Sequence, residues 1–186
     1  MKHTTIHIGE MYASREPVIV ETVLGSCVAV CLHDPVHRVG GMNHILLPRR
    51  CQDDSALGRY GEHAMPMLIE RIRRLGGDRE HLQAKVFGAA SVLTLNETRL
   101  SVPKANQDFV LEFLRASGIP VMNARLGGTE PLKVRLFTAT GRALVRALPR
   151  AQLDRVRAHE GEHYLAALAR RWGWFEEGAA LLEGNE

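Results

Sequence analysis

The chain has 186 residues, 45% hydrophobic and 24% charged, with a formal net charge of +3, a balance that suits one globular domain with a real core and excludes a disordered chain. No apolar run approaches the ~20 residues that a membrane-spanning helix needs. The opening MKHTTIHIGEMY lacks a secretory pattern, and Cys27, Cys31 and Cys51 are too few for a disulfide scaffold, so the expectation is a cytoplasmic protein with free thiols.

In chain order, TTIHIG (4–9) alternates and PVIVET (17–22) is β-branched, and both read as strands. The continuous apolar runs CVAVCLH (27–33) and VGGMNHILLP (39–48) read the same way. Arg49 to Gly58 is polar and reads as loop. From Arg59, apolar residues recur at Met65, Leu68, Ile69, Ile72 and Leu75, which is helical spacing stopped by Gly76-Gly77. Pro66 must sit near the first turn of that helix or kink it. QAKVFGAASVL (83–93) reads as strand then loop. Asn106 reads as the N-cap of a helix striped by Phe109, Val110, Phe113 and Leu114 and ended by Gly118. IPVMNARL (119–126) is a further strand, and KVRLFTATGRALVR (133–146) a hairpin turned at Thr140-Gly141. Residues 149–183 read as one or two helices anchored by Leu153, Val156, Leu165, Leu168 and Trp172. The pattern predicts an α+β fold, a layered sandwich of mixed and antiparallel sheets covered by two or three helices. The core domain is expected over 1–148 and a helical extension over 149–186.

The runs from Cys27 and from Val39 suit an antiparallel hairpin around HDPVHR (33–38), turned by Asp34-Pro35. With Leu32 opposite Val39, Cys27 lies opposite His44, with Cβ atoms about 4.5–5.5 Å apart on one face. A slip of one residue would put them on opposite faces. Such a pair has a chemical use. A free thiol titrates near about 8.5, so it needs a neighbouring imidazole to become a thiolate at neutral pH. Thiolate attack on an acyl carbon then gives a covalent intermediate. Gly25-Ser26 allows a tight turn whose backbone N–H groups can face a developing oxyanion. Gly40-Gly41 is expected to keep the facing backbone accessible. Cys31 reads as core.

LGSCVAVCLHDP followed by GGMNHILLP resembles the CheD family, the chemoreceptor glutamine deamidases of bacterial chemotaxis. The resemblance runs over about residues 6–147 and takes in IGE (8–10), KVFGAA (85–90), NQDFVLEFL (106–114), LGG (126–128) and the closing hairpin KVRLFTATGRALV. It implies conversion of receptor glutamines to glutamate with release of ammonia, with Cys27 as nucleophile and His44 as base. The family's third group is a threonine shortly before the cysteine. Thr22 is the match here, with Glu21 beside it, and its implied role is to orient the histidine. The resemblance implies no cofactor. Its partners are chemoreceptor cytoplasmic domains and a CheC-type phosphatase, and an adapter with little or no catalysis is the alternative in the same family. The chain departs from the family where a Gly-Gly-Ala turn is replaced by Gly88-Ala89-Ala90, and where glycine and arginine before the asparagine give way to Val102-Pro103-Lys104-Ala105.

HEGEH (159–163) matches the helix signature of zinc peptidases, with Glu176 or Glu177 available as a third ligand, and offers a zinc hydrolase as a rival. Gly161 weakens that helix and the flanks are amphipathic, so a solvated helix is preferred and no metal is assigned. A mixed cluster of Cys27, Cys31, His33, His37 and His44 is a further conceivable ligand set. The arginines are scattered rather than interleaved with aromatics, which argues against nucleic acid and leaves a mildly basic face for an acidic protein partner. Trp172, Trp174 and Phe175 are expected to pack the tail onto the sheet.

Overall fold

The computed structural model describes residues 1–48, 60–91 and 102–149, with single positions at 152, 156, 158 and 162. Among these lie strands β1 (Lys2–Thr5), β2 (Met11–Ser14), β3 (Val18–Leu24), β4 (Val28–Asp34), β5 (Val39–Ile45), β6 (Gln83–Gly88), β7 (Val121–Leu126), β8 (Leu132–Phe137) and β9 (Ala143–Ala147). With them lie helices α1 (Gly61–Arg74) and α2 (Val102–Ala116) and a short 3-10 turn at Arg79–His81. One sheet runs β1-β3-β8-β9 and the other β2-β5-β4-β6-β7. The β1–β3 and β6–β7 pairs are parallel and the rest antiparallel, so both sheets are mixed, as expected for the layered α+β class.

Strand alternation builds two cores. Val28, Val30 and Leu32 of β4 point to one side, where they meet Ala64, Met65, Leu68 and Ile72 of α1 and Val110 and Leu114 of α2. Ala29 and Cys31 point to the other side and pack with Val18, Val20 and Leu24 of β3 and Leu132, Val134 and Leu136 of β8. The five-stranded sheet is therefore the middle layer, with the four-stranded sheet on one face and the helices on the other. Helix α1 forms because its buried residues recur at helical spacing, with Glu62 in the first turn and Arg71, Arg73 and Arg74 in the last to suit the helix dipole.

Several expectations shift. The strand read at 4–9 is β1, earlier at Lys2–Thr5, and residues 6–10 instead cross from the four-stranded sheet to the five-stranded one, where β2 begins. MYAS, which is β2, is short and has no β-branched residue, so nothing marked it as a strand. Helix α2 starts at Val102, which places Asn106 inside the helix rather than at its cap. Gly40 and Gly41 open no backbone. A Cβ on Gly40 would lie 2.5 Å from the Thr138 carbonyl oxygen, and one on Gly41 2.9 Å from Leu68 Cδ1, so the pair lets β5 pack closely on both neighbouring layers. Cys51, Trp172, Trp174, Phe175 and the extension expected at 149–183 lie outside the described residues, apart from the few positions named.

The β4–β5 register also differs from expectation. Asp34 faces Val39 and Ala29 faces His44, a shift of two residues that carries β4 on to Asp34. The cause is the Asp34 side chain, which is fully buried. Its Oδ1 accepts from the Val36 and His37 backbone N–H groups and its Oδ2 from Asp78 N and His37 Nδ1, which tightens the turn to residues 35–38. Burial alone would raise this carboxyl. The N–H donors from Asp78, His37 and Val36 and the His37 ring outweigh it and hold the pKa at about 2. Because the folded value lies below the unfolded one, the stabilisation is present above about pH 4 and is lost as pH falls towards 2. Asp34→Ala should therefore cost about 2–3 kcal/mol in urea unfolding at pH 7. The gap between variant and wild type should narrow as pH falls from 4 to 2.

Candidate active site

Thr22 and His44 belong to different sheets and face each other across the inner core. Thr22 is an inward residue of β3, on the same face as Val20 and Leu24, and is 1% exposed. His44 points inward from β5 and is 3% exposed. Thr22 Oγ1 lies 2.8 Å from His44 Nδ1, and the same hydroxyl donates to the Ile6 carbonyl at 2.8 Å. A hydroxyl has one proton. Since Ile6 takes it, Thr22 can only accept from the ring, so Nδ1 carries the hydrogen and Nε2 is the basic nitrogen. Glu21, the neighbour noted in the sequence, points to the outer face. There burial would raise its pKa, but Lys133 and Arg135, each 2.5 Å away, bring it below the usual carboxylate range. It takes no part in the site.

The crossing segment 6–10 holds the histidine backbone. Gly9 N–H donates to His44 C=O at 2.9 Å, and His44 N–H donates to Glu10 C=O at 3.0 Å. Ile6 and Ile8 are buried in the inner core beside them. One short stretch thus anchors the His44 main chain and, through Ile6, sets the Thr22 hydroxyl.

Cys27 is fully buried and immediately precedes β4. Ala29 faces His44, so Cys27 and His44 are diagonal rather than directly opposite. The two-residue shift keeps the parity of the register, and both side chains stay on the inner face. Cys27 is accordingly part of the inner core with Ala29, Cys31 and Met42. Diagonal neighbours sit about 7–8 Å apart at Cα, within reach of a long or aromatic side chain.

Gly25, Ser26 and Cys27 form a bend whose carbonyls are each engaged. Ala90 N–H donates to Gly25 C=O and Ala89 N–H to Cys27 C=O, both at 2.8 Å. Asn106 Nδ2 donates to Ser26 C=O at 3.3 Å and to Leu46 C=O at 2.9 Å. At Gly88, φ is +113° and a Cβ would lie 2.2 Å from the Cys27 oxygen. Ala89 follows in the left-handed region with φ +56°, a conformation that costs a residue with a Cβ about 1–2 kcal/mol. Gly127 N–H donates to Gly88 C=O and Ser91 N–H to Gly128 C=O, which buttresses the turn. The sequence marked Asn106 and the Gly88 turn as motifs but gave no sign of these partners.

Cys31 is core. Burial pushes its thiol up to about 12 against the opposing pull of Lys85. The mixed ligand cluster does not assemble: among the described residues the converging set is Asp34, His37 and His81. In that set both Asp34 oxygens are already saturated by donors from the protein. His159, Glu160 and His163 of HEGEH lie outside the described residues, as do Glu176 and Glu177.

The family model "CheD chemotactic sensory transduction" matches residues 46–147. A Ralstonia nicotianae protein named "Probable chemoreceptor glutamine deamidase CheD" is 43% identical over 165 residues, 87% of this chain and 70% of its own. A Burkholderia mallei protein of the same name is 45% identical over 165 residues, 87% of this chain and 68% of its own. A solved structure, Bacillus licheniformis hypothetical protein YfiH, aligns over 62% of this chain and 49% of its own with a TM-score of 0.39 and 18% identity.

The geometry around the bend yields a paired prediction. Ala89→Gly should relieve the left-handed strain and raise stability by about 0.5–1 kcal/mol in urea unfolding, net of the freedom glycine gains when unfolded. Gly88→Ala should drive a methyl into the Cys27 carbonyl and lower stability by about 2 kcal/mol or more.

Proposed function

The chain belongs to the CheD family, and we propose that it deamidates glutamine side chains of chemoreceptors through Cys27, His44 and Thr22. The observation that carries the reading is the Thr22–His44 hydrogen bond, which sets the imidazole tautomer on the same face as Cys27. In this mechanism Cys27 Sγ attacks the side-chain carbonyl carbon of the glutamine as its proton passes to His44 Nε2. The tetrahedral intermediate collapses when His44 returns that proton to nitrogen. The C–N bond breaks, ammonia leaves and a thioester to Cys27 remains. Water then attacks the thioester with His44 as base. The C–S bond breaks, giving glutamate and the free thiol. Thr22 holds the ring in orientation and stabilises the Nδ1–H form throughout. Backbone N–H groups of the Gly25-Ser26 bend are assigned to the oxyanion.

No helix among the described residues is long and apolar enough to cross a membrane. The chain is assigned to the cytoplasm, where it would meet receptor cytoplasmic domains and a CheC-type phosphatase partner.

The test is a deamidation assay on a receptor cytoplasmic fragment, following ammonia and the Gln-to-Glu mass change. Cys27→Ala should lose at least ~10³-fold in rate with an unchanged far-UV circular dichroism spectrum. Thr22→Val should lose roughly 10–100-fold in kcat. Deamidation that persists in Cys27→Ala removes the nucleophile. Receptor binding by wild type without ammonia release leaves an adapter that joins receptors to the phosphatase.

A further inference from the structure

We propose that Asn106, a residue of helix α2, is a positioning residue for the Cys27–His44 pair, an inference that rests on the reading of Cys27 as nucleophile. The β4–β5 ladder ends at Val28 opposite Ile45. Cys27 lies one residue beyond it. There the Asn106 amide bridges the two segments. Its Nδ2 donates to the carbonyl of Ser26, the residue before Cys27, and to that of Leu46, the residue that would face Cys27 if the ladder continued. One amide thus fixes the spacing between the segment bearing the thiol and the strand bearing the imidazole. It does so from a third element, 80 residues from Ser26 and 60 from Leu46 in sequence.

The orientation of the amide is not free. Turning it over would aim its oxygen at two carbonyl oxygens. Asn106 is fully buried, and its Oδ1 has no hydrogen-bond partner among the described residues. An amide with an unmet buried acceptor is a poor device for attaching a helix, which Val110 and Leu114 already do by burial. What it supplies, and an apolar side chain cannot, is a pair of donors bridging two backbone segments. Catalytic geometry is sensitive to displacements of this kind.

Asn106→Asp tests this in the full-length protein, because it keeps size and shape but replaces the donor group with an oxygen. Asn106→Leu keeps a similar size and removes both donors by placing methyl groups there, without charge. On the receptor fragment, well below each variant's melting temperature, both should lower kcat by about 30-fold or more with KM within about threefold. The acid limb of the kcat/KM profile should move by about half a pH unit or more, because the thiol and imidazole no longer sit at their wild-type spacing. Combined with Thr22→Val, the losses should be less than multiplicative, since both substitutions loosen the same pair. A profile that stays in place, with activity reduced only in proportion to the folded fraction, overturns the proposal, as does a fully multiplicative double variant. If both isosteric variants fail to fold, Asn106→Ser, which keeps a single donor, carries the same comparison. Cys27→Ala is assayed alongside. Activity in that variant overturns the nucleophile reading itself, whereas an inactive Cys27→Ala beside a normal Asn106→Asp overturns only the role of Asn106.

Discussion

The candidate site depends on one hydrogen bond that crosses the sandwich, donated by His44 Nδ1 in the five-stranded sheet to the Thr22 hydroxyl oxygen in the four-stranded sheet. A bond between layers has demands that a bond within a sheet does not. The layers must pack at a fixed distance, both strands must hold the right parity, and the hydroxyl proton must be committed elsewhere. Gly40 allows the close approach of the layers beside Thr138. The alternation of β3 and β5 supplies parity. The crossing segment 6–10 supplies the rest, by offering the Ile6 carbonyl to Thr22 and clamping the His44 backbone through Gly9 and Glu10. Each requirement falls to a different part of the chain, which is why the Thr22–His44 pair needs the whole sandwich rather than a hairpin.

The family-like motifs gain a physical meaning in this frame. IGE is the clamp on the His44 main chain. KVFGAA ends in the Gly88-Ala89-Ala90 turn, whose N–H groups hold the Cys27 and Gly25 carbonyls. LGG braces that turn from the other side. Residues far apart in sequence therefore support Thr22, Cys27 and His44, and their hydrogen bonds go chiefly to main-chain atoms. Alanine at position 89, where the resemblance leads to the expectation of glycine, leaves backbone strain close to Cys27.

Much of the fold was legible because its strands are apolar and short and its helices have clear stripes. The face shared by Cys27 and His44 was legible too, although the register was not. The expected pairing missed by two residues because Asp34 reads as a generic turn residue, and nothing local shows that its carboxylate will be buried under donors from Asp78 and His37. The face survived because side-chain direction in a strand has period two, so an even slip preserves it. The same parity turns Thr22 to the inner face towards His44 and Glu21 to the outer face. The role of Asn106 was illegible for a different reason: a cap and a long-range bridge use the same residue type, and only the helix start distinguishes them. Sequence pattern reports faces and periods well, and it reports the partners of buried polar groups poorly.

The most direct test of the account is the tautomer of His44. Nitrogen-15 NMR on imidazole-labelled protein, in a Cys27→Ala background at a pH where the ring is neutral, reads which nitrogen carries the hydrogen. The account predicts a protonated Nδ1 and a bare Nε2, with the preference weakened in Thr22→Val. A ring protonated at Nε2 with Thr22 intact would mean that His44 cannot accept the thiol proton from this geometry, and would contradict the account.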